Sequence, residues 1–132
     1  MSDFASQARG ARVSMATCCD DTHPPECVID GKEDTFWATT GLFPQEIVIS
    51  LKHQQRLSRV VFVSSGVQKL VVERAVDVQP IKFEKLYDTN LSHIAGHLQT
   101  ENKVISFEAK HVKFILSSGW EDFATVRKIS LT

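Results

Sequence analysis

The sequence predicts an all-β fold, a two-sheet antiparallel sandwich of jelly-roll type, and three observations carry that prediction. Apolar residues alternate with a period of two, turn residues punctuate the chain at short intervals, and no window of helical length carries a convincing apolar stripe. A period of two puts alternate side chains on one face of a pleated strand, as a sheet packed on a core from one side requires. The 132 residues are enough to bury a core and match one domain, residues 1–132.

Taken in chain order, the first strand is expected at Arg12–Thr17. Next, Ile47, Ile49 and Leu51 alternate with Val48 and Ser50. Leu57–Ser64, Lys69–Ala75, Ile81–Leu86 and Lys103–Glu108 follow, many of them rich in Val, Ile and Phe. Val112, Phe114 and Leu116 then alternate with Lys113, Ile115 and Ser117, and Val126–Thr132 closes the chain. Turns are expected at Gly31, Gly41, Gly66, Asp88-Thr89-Asn90 and Gly119, and Ser92–Leu98 has room for one helical turn. Roughly eight short strands in a chain of this size make a sandwich, although a closed barrel has similar spacing. Ile49, Val61, Val72, Phe83, Phe114 and Leu116 are expected in or near the core, with Phe62 and Phe107 also at strand-like positions.

Composition narrows the function classes. A formal net charge of −1 supplies no long-range field to recruit nucleic acid or an anionic membrane. The longest run of aliphatic and aromatic residues, Val60-Val61-Phe62-Val63, is far too short to span a bilayer, so no membrane insertion is expected. Met1–Asp20 contains Arg9 and Arg12 but no apolar core of a secretory signal. Cys18, Cys19 and Cys27 cannot all pair within one chain, and adjacent cysteines bridge only under strain. Reduced thiols and a cytoplasmic location are therefore expected.

The segment Asp20–Gly41 is unlike the rest. Two prolines and two glycines lie in a segment with six carboxylates and several hydroxyls. Calcium takes six to eight oxygens from carboxylates, carbonyls and water. A tight turn at Asp30-Gly31 can bring Asp30 and Thr35 to one centre, with Phe36 and Trp37 anchoring the loop end in the core. The plainer alternative is a solvated Asp-Gly turn. The alternating acids and closing Glu of an EF-hand are absent.

The string Ile29-Asp30-Gly31-Lys32-Glu33-Asp34-Thr35-Phe36-Trp37 resembles the Asp-Gly-x-x-x-Thr-x-Trp signature of the galactose-binding-like jelly rolls, which include the discoidin domains of coagulation factors. Around it, His23-Pro24-Pro25-Glu26, Thr39-Thr40-Gly41-x-Phe43-Pro44-Gln45-Glu46 and Phe123-Ala124-x-Val126 resemble one family, that of intraflagellar transport protein twenty-five. The resemblance runs from about Ser14 to the last residue. It implies a galactose-binding-domain-like jelly roll that serves as a non-catalytic subunit of the intraflagellar transport B complex. It also implies a heterodimer with a Rab-like small GTPase, association with other transport-train subunits, and a location in the cilium or flagellum as well as the cytoplasm. For the loop it implies one structural calcium ion held by the Cys27 carbonyl, the Asp30 carboxylate and Thr35. Wider relatives add a carbonyl and an acidic side chain from the last strand; the matching positions here are Leu131 and Thr132, and Thr132 is not acidic.

Other chemistry is weaker. Cys18, Cys19, His23 and Cys27 reach the ligand count for zinc, but prolines lie between the last two and no Cys-x-x-Cys knuckle exists. His93 and His97 have metal-helix spacing without a neighbouring glutamate. No phosphate-cradling glycine loop, nucleophile elbow or other catalytic pattern occurs, so no enzyme is expected. A partner surface is expected in Phe43, Gln45 and Glu46 together with Trp120 and Phe123. The alternative function is a discoidin-type carbohydrate or lipid head-group binding module, with Trp120, Phe43 and Phe123 as its platform.

Overall fold

The computed structural model of the protein describes residues 3–18, 21–32, 34–39, 42–93 and 97–132. Among these residues the strands are β1 (Arg12–Ala16), β2 (Trp37–Ala38), β3 (Gln45–Ser65), β4 (Val67–Ala75), β5 (Glu84–Asn90), β6 (Gln99–Gly119) and β7 (Thr125–Leu131). Two 3₁₀ turns, Gln7–Arg9 and Pro25–Ile29, complete the regular structure. All strand pairings are antiparallel.

The hydrogen-bonded order is β2-β7-β3-β6-β4-β5, with β1 added to β3. This single ladder folds into two layers because of the lengths of β3 and β6. At about 3.3 Å per residue, a 21-residue strand extends about 70 Å. A chain of this length packs into a body roughly 35–40 Å across. The two strands therefore bend together, and the register breaks between Ser50 and Gln55 mark the corner. One layer holds β1, the first half of β3, the second half of β6, β4 and β5; the other holds the first half of β6, the second half of β3, β7 and β2. Phe62 and Phe114 meet across the layers, stacked at 5.5 Å between ring centroids.

Several sequence expectations change. The short segments expected around 47–51 and 57–64 are two halves of β3, and those around 103–108 and 112–117 are two halves of β6. The segment expected at Ile81–Leu86 pairs instead as Glu84–Asn90, so Asp88-Thr89-Asn90 is strand rather than turn. Opposite Lys69, Leu70 and Val71, these polar residues gain a partner strand, which overrides their turn preference. Gly41 lies outside the described residues, and of Ser92–Leu98 the described members are not helical.

Ile49, Val72, Phe114 and Leu116 are completely buried, as expected. Val61 is half-buried, and its neighbour Phe62 points into the core. Phe83 is half-buried outside the strands, where the Lys113 ammonium sits 4.2 Å from its ring centroid. It belongs to the β4–β5 connection, residues 76–83, which lies across the outer face of the first layer and is held there by a bond from the buried His111 ring to the Val78 carbonyl. Ser50, which faces the same way as its cross-strand partner His111, is consequently buried, so this stretch of β3 is covered on both faces.

Candidate functional site

The loop that follows the second 3₁₀ turn assembles from local chemistry. Pro25 starts the turn with its backbone angle already set, and Val28 and Ile29 bury beneath it. Asp30 ends it, and Gly31 takes a positive φ of 76° that turns the chain back on itself. The Lys32 amide then donates to Asp30 Oδ1 at 2.9 Å, closing an Asx-type turn. The far end is pinned by Trp37, fully buried, whose indole Nε1 donates to the Cys18 carbonyl at 3.2 Å. Phe36 does not enter the core. It is half-buried, stacked on His23 at 4.0 Å, with the Arg127 guanidinium 5.1 Å from its ring centroid.

The structure brings the three expected ligand positions together around Thr35. Its hydroxyl lies 2.9 and 2.8 Å from the two Asp30 carboxylate oxygens, and 3.5 Å from the Cys27 carbonyl. The Lys32 carbonyl, which the sequence did not single out, joins at 3.5 Å. A hydroxyl has one proton to donate, so it cannot serve four oxygens at once. Oxygens spaced about 2.8–3.5 Å apart are neighbours of the kind found around a calcium ion with 2.3–2.6 Å bonds. The donor set of carboxylate, hydroxyl and carbonyls is hard oxygen throughout, so these residues fit calcium. Burial, reinforced by the negative Asp30, pushes the Cys27 thiol pKa up, which keeps the sulfur protonated while its carbonyl faces the loop.

Leu131 and Thr132 have their carbonyls taken by backbone amides. The Leu131 carbonyl accepts from the Phe4 amide at 2.8 Å, and that of Thr132 accepts from the Ser58 and Arg59 amides at 2.7 and 3.0 Å. Both carbonyls already serve the backbone. Of the zinc alternative, Cys18 and Cys27 are free thiols, Cys19 lies outside the described residues, and no cluster of His, Cys, Asp and Glu able to hold a metal forms among the described residues. His93 instead stacks on Trp120 at 5.7 Å.

The surface residues separate into two kinds. Trp120 is 43 % exposed and Phe123 53 %, and Leu42, which the sequence reading passed over, is 84 % exposed. Phe43 is half-buried with its ring against Gly119, so these apolar groups gather at one end of the sandwich. Trp120 is held rigidly there, its Nε1 donating to the Leu91 carbonyl at 2.8 Å and its amide to the Gly66 carbonyl at 2.9 Å. Gln45 is a brace rather than a contact: it is buried, donates to the Leu42 carbonyl and accepts from the Thr17 hydroxyl. Glu46 is half-buried, and its amide donates to the same Thr17 hydroxyl at 2.8 Å.

One grouping had no signal in sequence spacing. Ser14, Ser50 and His111 come from three strands, with Ser50 Oγ 2.7 Å from Ser14 Oγ and 2.6 Å from His111 Nδ1. Because His111 Nε2 faces the Val78 carbonyl at 2.9 Å, that nitrogen carries a proton and, in the neutral ring, Nδ1 accepts from Ser50. A serine beside a histidine base resembles a nucleophile pair. Here both are buried to 1 % exposure or less, away from any substrate, and the relay ties the β4–β5 connection to the sheet.

Comparison with known proteins bears on the whole chain. No family model matches it. It is 43 % identical over 131 residues to intraflagellar transport protein 25 of Chlamydomonas reinhardtii, covering 99 % of this chain and 69 % of that one. The chain belongs to the intraflagellar transport protein 25 family. The human homologue of intraflagellar transport protein 25 is 39 % identical over 129 residues, covering 97 % of this chain and 90 % of its own. Among solved structures, a family 32 carbohydrate-binding module of Clostridium perfringens in complex with GalNAc-β-1,3-galactose superposes with a TM-score of 0.82 at 23 % identity, covering 98 % of this chain and 99 % of the module. The family 32 module of NanJ from the same organism, in complex with galactose, gives 0.81 at 15 % identity, covering 98 and 97 %. At such identities the likeness shows the jelly-roll fold alone and nothing of the ligand.

Proposed function

We propose that this chain is a non-catalytic subunit of the intraflagellar transport B complex, working in the cilium or flagellum and the cytoplasm as a heterodimer with a Rab-like small GTPase. The observation that carries the reading is 43 % identity over nearly the whole chain to a protein named for intraflagellar transport. The geometry supports action through a surface. Leu42, Trp120 and Phe123 are exposed around half-buried Phe43 at one end of the sandwich, beside Glu121 and Asp122. Rigid aromatic anchors with an acidic rim are what a stable interface of about 1,200–2,000 Å² uses at its centre and edge. Co-expression with a Rab-like transport GTPase followed by size-exclusion chromatography tests it: a single complex peak at micromolar concentration is expected. Separate elution with the GTPase folded and nucleotide-loaded would sink the heterodimer and turn attention to glycan and lipid head-group screening. That alternative is disfavoured by Trp120, one face of which is taken by His93.

The loop site fits the same reading as a structural element. One calcium ion, held through the Asp30 carboxylate, the Thr35 hydroxyl and the Cys27 carbonyl with the Lys32 carbonyl beside them, would neutralise Asp30 and lock the loop. Nothing in the arrangement activates a water or a substrate.

A further inference from the structure

A cleft lies at the opposite end of the fold from Trp120, where β3 and β6 turn the corner between layers. Its volume is about 490 Å³, and it opens between the first 3₁₀ turn and the bend of β3. Gln7, Arg9 and Gly10 form one wall, and Lys52, His53 and Gln55 the other. None of the lining side chains is acidic. No ion pair is made by Arg9, Lys52 or His53 among the described residues, whereas the nearby Arg56 is paired with Glu108 at 3.5 Å.

The two permanent cations are positioned by packing. The Arg9 guanidinium carbon lies 5.3 Å from the centroid of the Phe4 ring, a cation–π contact that holds the exposed side chain over the cleft wall. The Lys52 stem runs over Gly10. A Cβ built there would come within 2.8 Å of Lys52 Cδ and 3.1 Å of its Cβ, and Gly10 has a φ of 89°. Glycine at this position therefore does two things: it caps the 3₁₀ turn through its amide bond to the Gln7 carbonyl at 3.0 Å, and it gives the lysine a groove to lie in. Around these charges, the amides of Gln7 and Gln55 add neutral donors.

From this arrangement we infer that the corner cleft is a phosphomonoester site that takes a phosphorylated serine or threonine of a partner protein. Two positive charges with no counter-ion among the described residues match the charge of a phosphomonoester, about −1.5 to −2 at neutral pH. The planar Arg9 fork suits phosphate oxygens, and the Lys52 ammonium acts as a point charge beside them. A lipid surface fits less well. The apolar lining is sunken, with Leu51 only 2 % exposed and Phe4 half-buried under Arg9, so no side chain here protrudes to enter a bilayer.

The test is a titration of the whole, isotope-labelled chain with O-phosphoserine at constant ionic strength, followed by amide chemical shifts, with serine and chloride as controls. Saturable shifts at Arg9, Gly10, Lys52 and His53 with a Kd of the order of 1 mM or tighter are expected. The double substitution Arg9→Glu with Lys52→Glu should weaken binding at least tenfold while leaving the spectrum of the distant strands intact. Gly10→Ala, which changes no charge, should also weaken it by displacing Lys52, and Lys52→Arg should retain it. Linear shifts no larger than those with chloride would overturn the inference, as would an undiminished response in the double variant. Sedimentation with phosphatidylcholine vesicles containing phosphatidylinositol bisphosphate, not relieved by phosphoserine, would overturn it in favour of a membrane head group.

Discussion

The Asp30 loop and the Ser14–Ser50–His111 node both crowd polar atoms within hydrogen-bonding distance, and they resolve that crowding differently. In the node, every contact can pair a donor with an acceptor: the His111 ring donates to the Val78 carbonyl and accepts from Ser50, which accepts from Ser14. Around Thr35 one hydroxyl proton faces four oxygens, two of them the acidic pair of Asp30, and the Lys32 amide supplies a second proton to Asp30 Oδ1 alone. The node is complete as it stands. The loop has acceptors to spare, which is the condition under which an external cation is stabilising. The node is also built from residues 36 and 61 positions apart, whereas the loop spans eight.

The contrast can be broken most forcefully at the node. His111→Ala leaves a cavity and orphans both Ser50 and the Val78 carbonyl, and should destabilise the protein by about 2–4 kcal/mol, with or without calcium. Urea unfolding followed by fluorescence measures it. A loss that vanished in calcium buffer would mean that the two regions are not independent.

At the loop, Asp30→Ala removes a charge and two oxygens together. With free calcium at about a hundred times its Kd, the ion contributes about 2.7 kcal/mol to the wild type, which the variant should forfeit. In chelator the two proteins should differ much less. Equal melting of the wild type in calcium and in chelator would remove the ion from the account.

A smaller effect reads the same loop electrostatically. The Cys27 thiol pKa is raised above its ordinary 9.0, first by burial and then by Asp30. A folded value above the unfolded one means that this group's stabilising contribution is full below about pH 9 and declines as pH rises through the folded value. With Cys18 and Cys19 replaced by serine, Cys27 should alkylate several-fold more slowly than a free thiol at pH 8, and Asp30→Asn should speed it. Reaction at the free-thiol rate would contradict the burial of the sulfur.

The least effect is expected on the exposed edge. The Lys85 ammonium bonds to and attracts the Asp88 carboxylate, lowering its pKa. Any stability from this pair is present above the ordinary carboxylate range and is lost as pH falls through the lowered value. At neutral pH, Lys85→Ala should leave the melting temperature within error, because solvent screens the pair. A clear drop would show that β5 is more tightly coupled to the sheet than its exposure suggests.

The loop was legible because its parts are neighbours in the chain: Cys27, Asp30 and Thr35 needed only a proline-started turn and Gly31 to meet. Lys32 escaped notice because a carbonyl ligand carries no side-chain signature. Gln45 was read as surface because its residue type usually is, yet pairing with Leu116 and bonds to Leu42 and Thr17 draw it inside.

By itself the sequence determined strand periodicity, the Asp-Gly turn and most of the buried aromatics, since each depends on residues a few positions apart. The tertiary structure alone decided that four apparent strands are two bent ones. It also drew Asp88–Asn90 into a ladder, laid the 76–83 connection over His111, and brought Arg9 to Lys52. Those outcomes depend on contacts between distant segments. A pattern of period two records which side chains face the core, and leaves open which strand lies alongside and where a long strand must bend to keep both halves buried.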